Sequence, residues 1–155
     1  MALRIYLETS VISAYYFGRG TILGATKAFF RTCSTGGYEL FTSDVGLREI
    51  DRSGTSTQEK LYSVIEKFKV RICPLTNEAD RLAEEYVHRN VIPANFRADA
   101  EHIAICSVSG LEVLASWNLR HIVNLRTKME VKDINMEMGY PTPNIVRPDE
   151  VLDVE

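Results

Sequence analysis

The chain reads as an α/β protein, and three observations predict it. Short strand-forming runs alternate with helical stretches from the first residues onward, turn residues mark most changes of pattern, and no repeat or linker divides the chain. Strands separated by helical crossovers pair in parallel and bury both faces. The expectation is a three-layer α/β/α sandwich with a central, mostly parallel sheet, a single domain over residues 1–155.

Each element follows from local pattern. Leu3 to Leu7 is rich in strand formers, Glu8-Thr9-Ser10 makes a turn, and Val11 to Phe17 is an apolar helical stretch with Thr9 or Ser10 as N-cap. Gly18 and Gly20 separate it from a second helix over about 22–34, and Gly36-Gly37 breaks that helix. Tyr38 to Thr42 is a second strand, and Ser43-Asp44 opens a short helix carrying Arg48 and Glu49. Residues 52–57 read as a Ser/Gly/Thr loop. Leu61, Val64, Ile65 and Phe68 then fall at i, i+3, i+4 and i+7, an amphipathic helix. Val70 to Cys73 is a short strand closed by Pro74. Thr76-Asn77-Glu78 starts a helix with Leu82, Ala83, Tyr86 and Val87 as its apolar stripe. Pro93 to Arg97 is a loop, and residues about 98–109 form the most apolar helix, ended by Gly110 at C′. Leu111 to Trp117 is a strand, a helix runs around 127–138 to Gly139, and the proline-bearing ending that holds Asn144-Ile145-Val146 is an extended tail.

Composition narrows the function. The net charge of −3 excludes a histone-like polybasic grip on nucleic acid. Three cysteines, Cys33, Cys73 and Cys106, form no CxxC pair and read as reduced, partly buried thiols of a cytoplasmic protein. Glu8 interrupts any signal-peptide core, and no run approaches the ~18 apolar residues of a membrane span.

In open parallel α/β sheets, ligands bind beyond the carboxyl ends of the strands. The polar residues there are Glu8-Thr9-Ser10, Thr42-Ser43-Asp44 and Asn118, while Glu49 and Asp99 lie on helices leading from or toward that edge. Three carboxylates and a carboxamide can thus converge. Buried together unpaired they would cost several kcal/mol, and a divalent cation removes that cost. Oxygen ligands point to Mg²⁺ or Mn²⁺ rather than zinc. Such a cluster suits hydrolysis of phosphate esters.

Four blocks together resemble the PIN-domain nuclease family, above all its bacterial and archaeal toxin branch (VapC-like). They are Ile5-Tyr6-Leu7-Glu8-Thr9-Ser10-Val11; Thr42-Ser43-Asp44 leading to Glu49; Arg97-Ala98-Asp99-Ala100-Glu101-His102-Ile103-Ala104; and Ser116-Trp117-Asn118-Leu119-Arg120-His121-Ile122. The ending from Gly139 to Glu150 is similar to that branch's ending too, and the blocks stand in the family's order along nearly the whole chain. The resemblance implies a PIN-like fold and a metal-dependent endoribonuclease whose acidic quartet binds Mg²⁺ or Mn²⁺. It implies RNA as substrate, a homodimer, and a small antitoxin protein encoded nearby as the inhibitor. Glu8, Glu49, Asp99 and Asn118 match the family's four metal-site positions. Two differ from the commonest form: Glu8 stands where Asp is usual, and Asn118 stands where Asp is frequent and brings no charge. These two residues motivate a second reading, a PIN-like module that binds RNA or protein without cutting. A third is a metal hydrolase acting on small phosphate esters.

Neighbouring residues have plainer expectations. Thr9 and Ser10 cap the first helix or orient a carboxylate. His102, three residues after Asp99, shares its helical face; it is expected as a packed histidine, with orientation of the carboxylate as the sharper role. His121, three after Asn118, is similar. Glu101 is expected as a surface charge, since about 100° per residue aims it away from Asp99. Trp117 and Tyr15-Tyr16-Phe17 read as core or dimer contacts. Arg97 and Arg120 are the RNA-binding candidates, with Arg48, Arg52 and Arg126 also near the site edge in sequence.

Overall fold

The computed structural model describes residues 2–151; residue 1 and residues 152–155 of the expected domain lie outside them. The chain runs β1 (Leu3–Leu7), α1 (Thr9–Phe17), α2 (Thr21–Cys33), β2 (Tyr38–Ser43), α3 (Asp44–Asp51), α4 (Thr55–Lys67) and β3 (Arg71–Cys73). It continues through α5 (Asn77–His88), α6 (Arg97–Val108), β4 (Val113–Ala115), α7 (Leu125–Met138), β5 (Asn144–Val146) and α8 (Pro148–Val151). The strands form one five-stranded sheet in the order β3-β2-β1-β4-β5, and every pairing is parallel.

That order sets where a site can form. From the central β1 the chain steps outward to β2 and β3, then returns through α5 and α6 to lay β4 on the other side of β1. Connections leave β1 and β4 in opposite directions, which opens a crevice at the carboxyl ends of those two strands. Register brings Leu7 level with Ala115, so Glu8 and Ser116 follow side by side. The Glu8 amide donates to the Ala115 carbonyl at 3.0 Å, which carries the pairing one step past the strand end.

Alternation along β1 builds the three layers. Ile5 and Leu7 enter a core with Val11, Ile12, Phe29, Phe30, Leu61 and Val64, under α1, α2 and α4. Tyr6 points the other way, into a core with Leu82, Ile103, Ala104, Val131 and Ile134, under α5, α6 and α7. Both sheet faces are covered, as parallel sheets require. In α6 every residue from Ala100 to Ser107 is buried, which is why this helix is so apolar.

Close approach of α3 to β2 tightens the same edge. A Cβ at Gly46 would run into the Thr42 hydroxyl, and that hydroxyl donates to the Leu7 carbonyl at 3.0 Å. Glycine therefore lets α3 sit directly on the bond that joins the ends of β1 and β2.

Several local expectations need correction. The N-cap of α1 is Glu8, whose side chain accepts from the Ser10 amide, while Thr9 and Ser10 lie inside the first turn. A glutamate at a strand end reaches the orphan amides as readily as a hydroxyl does. The supposed loop over 52–57 already contains the first turn of α4, begun at Thr55. The strand expected over 111–117 is paired in the sheet only at Val113–Ala115. A 3₁₀ turn at Ala94–Phe96 interrupts the loop before α6. The extended tail is in fact a fifth strand and a short helix. Three paired residues between prolines leave no periodicity to read.

Candidate functional site

Glu8 stands at the crevice with 5% of its surface exposed. Its Oε2 accepts from the Ser10 amide at 3.0 Å, and its Oε1 accepts from the hydroxyls of Ser10 at 2.6 Å and Ser116 at 2.5 Å. The Ser10 oxygen accepts from the Trp117 amide at 2.9 Å, and the Ser116 oxygen accepts from the Asn118 amide at 2.9 Å. These bonds staple the ends of β1 and β4 around one carboxylate. Ser10 thus both orients Glu8 and sits in the first turn of the helix that Glu8 caps.

Glu49, brought in on α3, is half-buried. Its Oε1 accepts from Thr9 Oγ1 at 2.7 Å and from His102 Nε2 at 2.6 Å. Burial raises its pKa, but the His102 hydrogen bond and charge, the Thr9 hydroxyl and the Arg48 charge outweigh it and hold the carboxyl below its ordinary value.

His102 is fully buried. Its Nδ1 lies 2.6 Å from the Tyr6 hydroxyl, which lies 2.7 Å from Ser43 Oγ. Ser43 Oγ caps α3 by accepting from the amides of Val45 and Gly46. The Tyr6 hydroxyl thus links the α3 cap to the His102 ring, whose Nε2–H donates to Glu49. The chain of hydrogen bonds runs from the α3 cap to the Glu49 carboxylate. Burial lowers the His102 pKa, yet the Glu49 hydrogen bond and the charges of Glu8, Glu49 and Asp99 carry it above its ordinary value. The histidine is packed, as expected, but the carboxylate it orients is Glu49 rather than Asp99. Sharing a helical face does not decide what lies opposite that face.

Asp99, in the first turn of α6, belongs to a neighbouring group. Its Oδ2 accepts from Asn118 Nδ2 at 3.2 Å and from His121 Nδ1 at 2.9 Å. Asn118 Oδ1 in turn accepts from the His121 amide at 3.0 Å, and the His121 ring rests on Phe96 with centroids 4.3 Å apart. Burial, with the Glu8 charge next, raises the Asp99 pKa against the pull of the two histidines. Asp99 and Glu8 therefore feel each other as like charges.

The ligand atoms of Glu8, Glu49 and His102 all lie within 4.8 Å of one another, a spacing able to hold a metal ion; Asp99 is not in that trio. Because His102 Nε2 is committed to Glu49, its place is to orient that carboxylate. The donors facing the crevice are then carboxylate oxygens and the Asn118 carboxamide. That set fits a hard divalent cation, and the mutual repulsion of Glu8 and Asp99 is what such a cation relieves.

The basic candidates divide. Arg97 is engaged by Asp80 at 2.8 Å, by Glu84, and by Glu101 at 3.7 Å. Its planar fork is filled by protein carboxylates, whatever its place in the RNA-binding expectation. Arg120 is exposed. Glu101 is not the surface charge expected: it is 5% exposed and clasped by Arg48 at 2.6 Å. Turning away from Asp99 points it at α3 rather than at water.

The sequence blocks contain Tyr6, Ser43 and Ser116, and Ser43 is placed at the sheet edge, but the sequence pattern gives none of the three a part in orienting the site. The available signal was Tyr6, a hydroxyl between Ile5 and Leu7 in a strand buried on both faces, which requires a buried partner.

The Glu49–His102 pair predicts a pH dependence in chelator. Glu49, its pKa lowered by folding, contributes stability present above its ordinary value near 4.5 and lost as pH falls through the folded value. His102, its pKa raised, contributes stability present below its ordinary value near 6.5 and lost as pH rises through the folded one. For this pair the melting temperature peaks between those values. A melting temperature still climbing from about pH 7 to 9, beyond the ordinary range of histidine, contradicts the His102 assignment.

No family model matches the chain, and no curated protein does. Solved structures do. VapC20 from Mycobacterium tuberculosis, described as a sarcin–ricin-loop-cleaving toxin, is similar at 20% identity and a TM-score of 0.55, over 71% of this chain and 86% of that one. VapBC2 from Rickettsia felis, bound to a DNA fragment from its promoter, is similar at 13% identity and a TM-score of 0.57, over 92% of this chain and 97% of that one. At such identities the likeness is one of fold. The five-stranded parallel sheet flanked by helices is the PIN-like fold of these VapC toxins.

Proposed function

We propose that this chain is a divalent-metal-dependent endoribonuclease, the toxin of a type II toxin–antitoxin pair, acting in the cytoplasm as a homodimer. The observation that supports the reading is the cluster of Glu8, Glu49 and His102 at the switch-point crevice, with the Asp99–Asn118 pair beside it and the Glu8 charge acting on Asp99, in a fold shared with a sarcin–ricin-loop-cleaving toxin. A complex-forming relative of the same fold supports an antitoxin partner. So do Tyr16, Phe17 and Ile22 on α1 and α2, which leave large apolar side chains 37–45% exposed.

Glu8, Glu49 and Asp99 would hold Mg²⁺ or Mn²⁺, with Asn118 beside them. When bound, the cation would supply an activated water and charge neutralisation at the phosphoryl oxygens. The chain's own residues do the rest. Ser10 and Ser116 fix the Glu8 carboxylate, Thr9 and His102 fix Glu49, and Asn118 with His121 fix Asp99 Oδ2. Each carboxylate is thereby pre-oriented, so little rotamer freedom remains to be lost on binding. Tyr6 and Ser43 set the His102 ring and its proton.

The second reading, a module that binds RNA or protein without cutting, draws on one observation. Asn118 brings no charge, its Nδ2 donates to Asp99 and its Oδ1 already accepts from the His121 amide, so the fourth position offers a cation only an uncharged oxygen. Incubation of purified protein with a mixed-sequence RNA in Mn²⁺, in Mg²⁺ and in chelator decides between the two. The nuclease cuts in metal and stops in chelator. Folded protein that takes up Mn²⁺ and leaves RNA intact is the binding module. Turnover of nitrophenyl phosphate without RNA cleavage moves the assignment to small phosphate esters.

A further inference from the structure

Arg48 and Arg97 share one buried carboxylate and are otherwise unlike. Arg97 adds Asp80 and Glu84 to its share of Glu101, so its charge is more than matched. Among the described residues Arg48 pairs with Glu101 alone, through Nη2 at 2.6 Å. Among those residues its Nε is buried without a partner and its Nη1 makes no hydrogen bond. The side chain as a whole is 41% exposed. A guanidinium paired to one shared carboxylate, with an unused terminal nitrogen, thus stands one residue from Glu49, close enough that its charge lowers the Glu49 carboxyl. Glu101, reaching across from α6, locks the fork against α3.

With Nε buried and Nη2 held by Glu101, the free N–H groups of Nη1 call for an acceptor, and a phosphate oxygen suits a guanidinium N–H. We propose that Arg48, braced by Glu101, is the phosphate anchor of the site, taking a backbone phosphate of the strand that enters beside Glu49. Glu101 is its positioning residue, and Arg97 is structural. The assignment rests on the ribonuclease reading and names the group that recognises the substrate backbone.

Salt dependence tests it. Binding of a fluorescent single-stranded RNA of mixed sequence is followed by anisotropy across a salt series, with Ca²⁺ replacing Mg²⁺ and Mn²⁺. Each phosphate contact contributes about 0.7 to the slope of log K against log salt for single strands, so Arg48→Gln lowers the slope by roughly that amount. Arg48→Lys keeps the charge and most of the slope, while Arg97→Gln leaves the slope at its wild-type value. Should Arg48→Gln unfold because Glu101 is left bare, the Arg48→Gln/Glu101→Gln pair restores a neutral hydrogen-bonded contact, and it too shows the shallower slope. In cleavage, Arg48→Gln raises KM more than it lowers kcat, while Arg97→Gln leaves KM at its wild-type value. A folded Arg48→Gln protein with the wild-type slope overturns the anchor while leaving the ribonuclease standing. A wild-type protein without salt-dependent RNA binding overturns both.

Discussion

Asp99→Asn abolishes metal-dependent cleavage and leaves the metal-free protein at least as stable as the wild type. The two halves of this result have one cause. Asp99 is largely withdrawn from water, and burial followed by the Glu8 charge pushes its pKa up. In chelator near neutral pH its ionised form is therefore a burden on the fold. Asparagine is of the same shape and removes that charge, keeping an oxygen that accepts from Asn118 and His121. The melting temperature in chelator holds or rises. On the proposed site, catalysis loses one of the carboxylates that would hold the metal, and with it transition-state charge stabilisation of several kcal/mol. At 1.36 kcal/mol per decade that is a fall of at least about 10³-fold in kcat. The stabilisation that added Mn²⁺ gives the wild type in thermal melts shrinks in parallel. A variant that cuts RNA at the wild-type rate places the chemistry elsewhere, and one that simply unfolds refutes the account of Asp99 as an unfavourably buried charge.

Gly46→Ala weakens both fold and activity without touching a polar group of the site. The new methyl collides with the Thr42 hydroxyl, which cannot turn away without releasing the Leu7 carbonyl. Overpacking of this kind costs about 1–3 kcal/mol, which lowers Tm by roughly 3–10 °C in a chain of this size. Relief by outward movement of α3 also shifts Glu49, three residues on. A displacement near 1 Å in a catalytic group costs about 10²-fold in rate. Gly24→Ala is the matched control. It lies within α2 with nothing in reach of an added Cβ, so it stabilises by about 0.5–1 kcal/mol through reduced unfolded-state freedom and better helix propensity. Activity stays unchanged. Equal melting temperatures for Gly46→Ala and wild type show that the α3–β2 contact has slack, and the argument from close approach fails.

Much of the fold was legible because its signals are local. Strand formers in β1, a helical repeat in α4 and the helix starts at Ser43 and Thr76 declare themselves within a few positions. β5 was missed because three residues between prolines carry no period, and its strand character comes entirely from β4 beside it. The first turn of α4 was missed because Thr55, Ser56 and Thr57 favour loops by composition, and only packing of the later apolar residues holds them helical.

For the site, the one-dimensional pattern supplied the inventory. Carboxylates after strand ends, the four blocks and their order determined that Glu8, Glu49, Asp99 and Asn118 belong to one edge of a parallel sheet. Spacing along a helix then told which side chains share a face, but not what that face meets. Packing settled the rest. His102 serves Glu49, His121 and Asn118 serve Asp99, and Glu101 is buried between two arginines. Of these arginines, one is consumed by carboxylates and the other retains an open nitrogen. Hydrogen bonds and ion pairs join atoms brought together by the packing of helices and loops 19 to 53 residues apart in sequence. Partners at that separation are chosen by the shape of the core, and no local pattern records the choice.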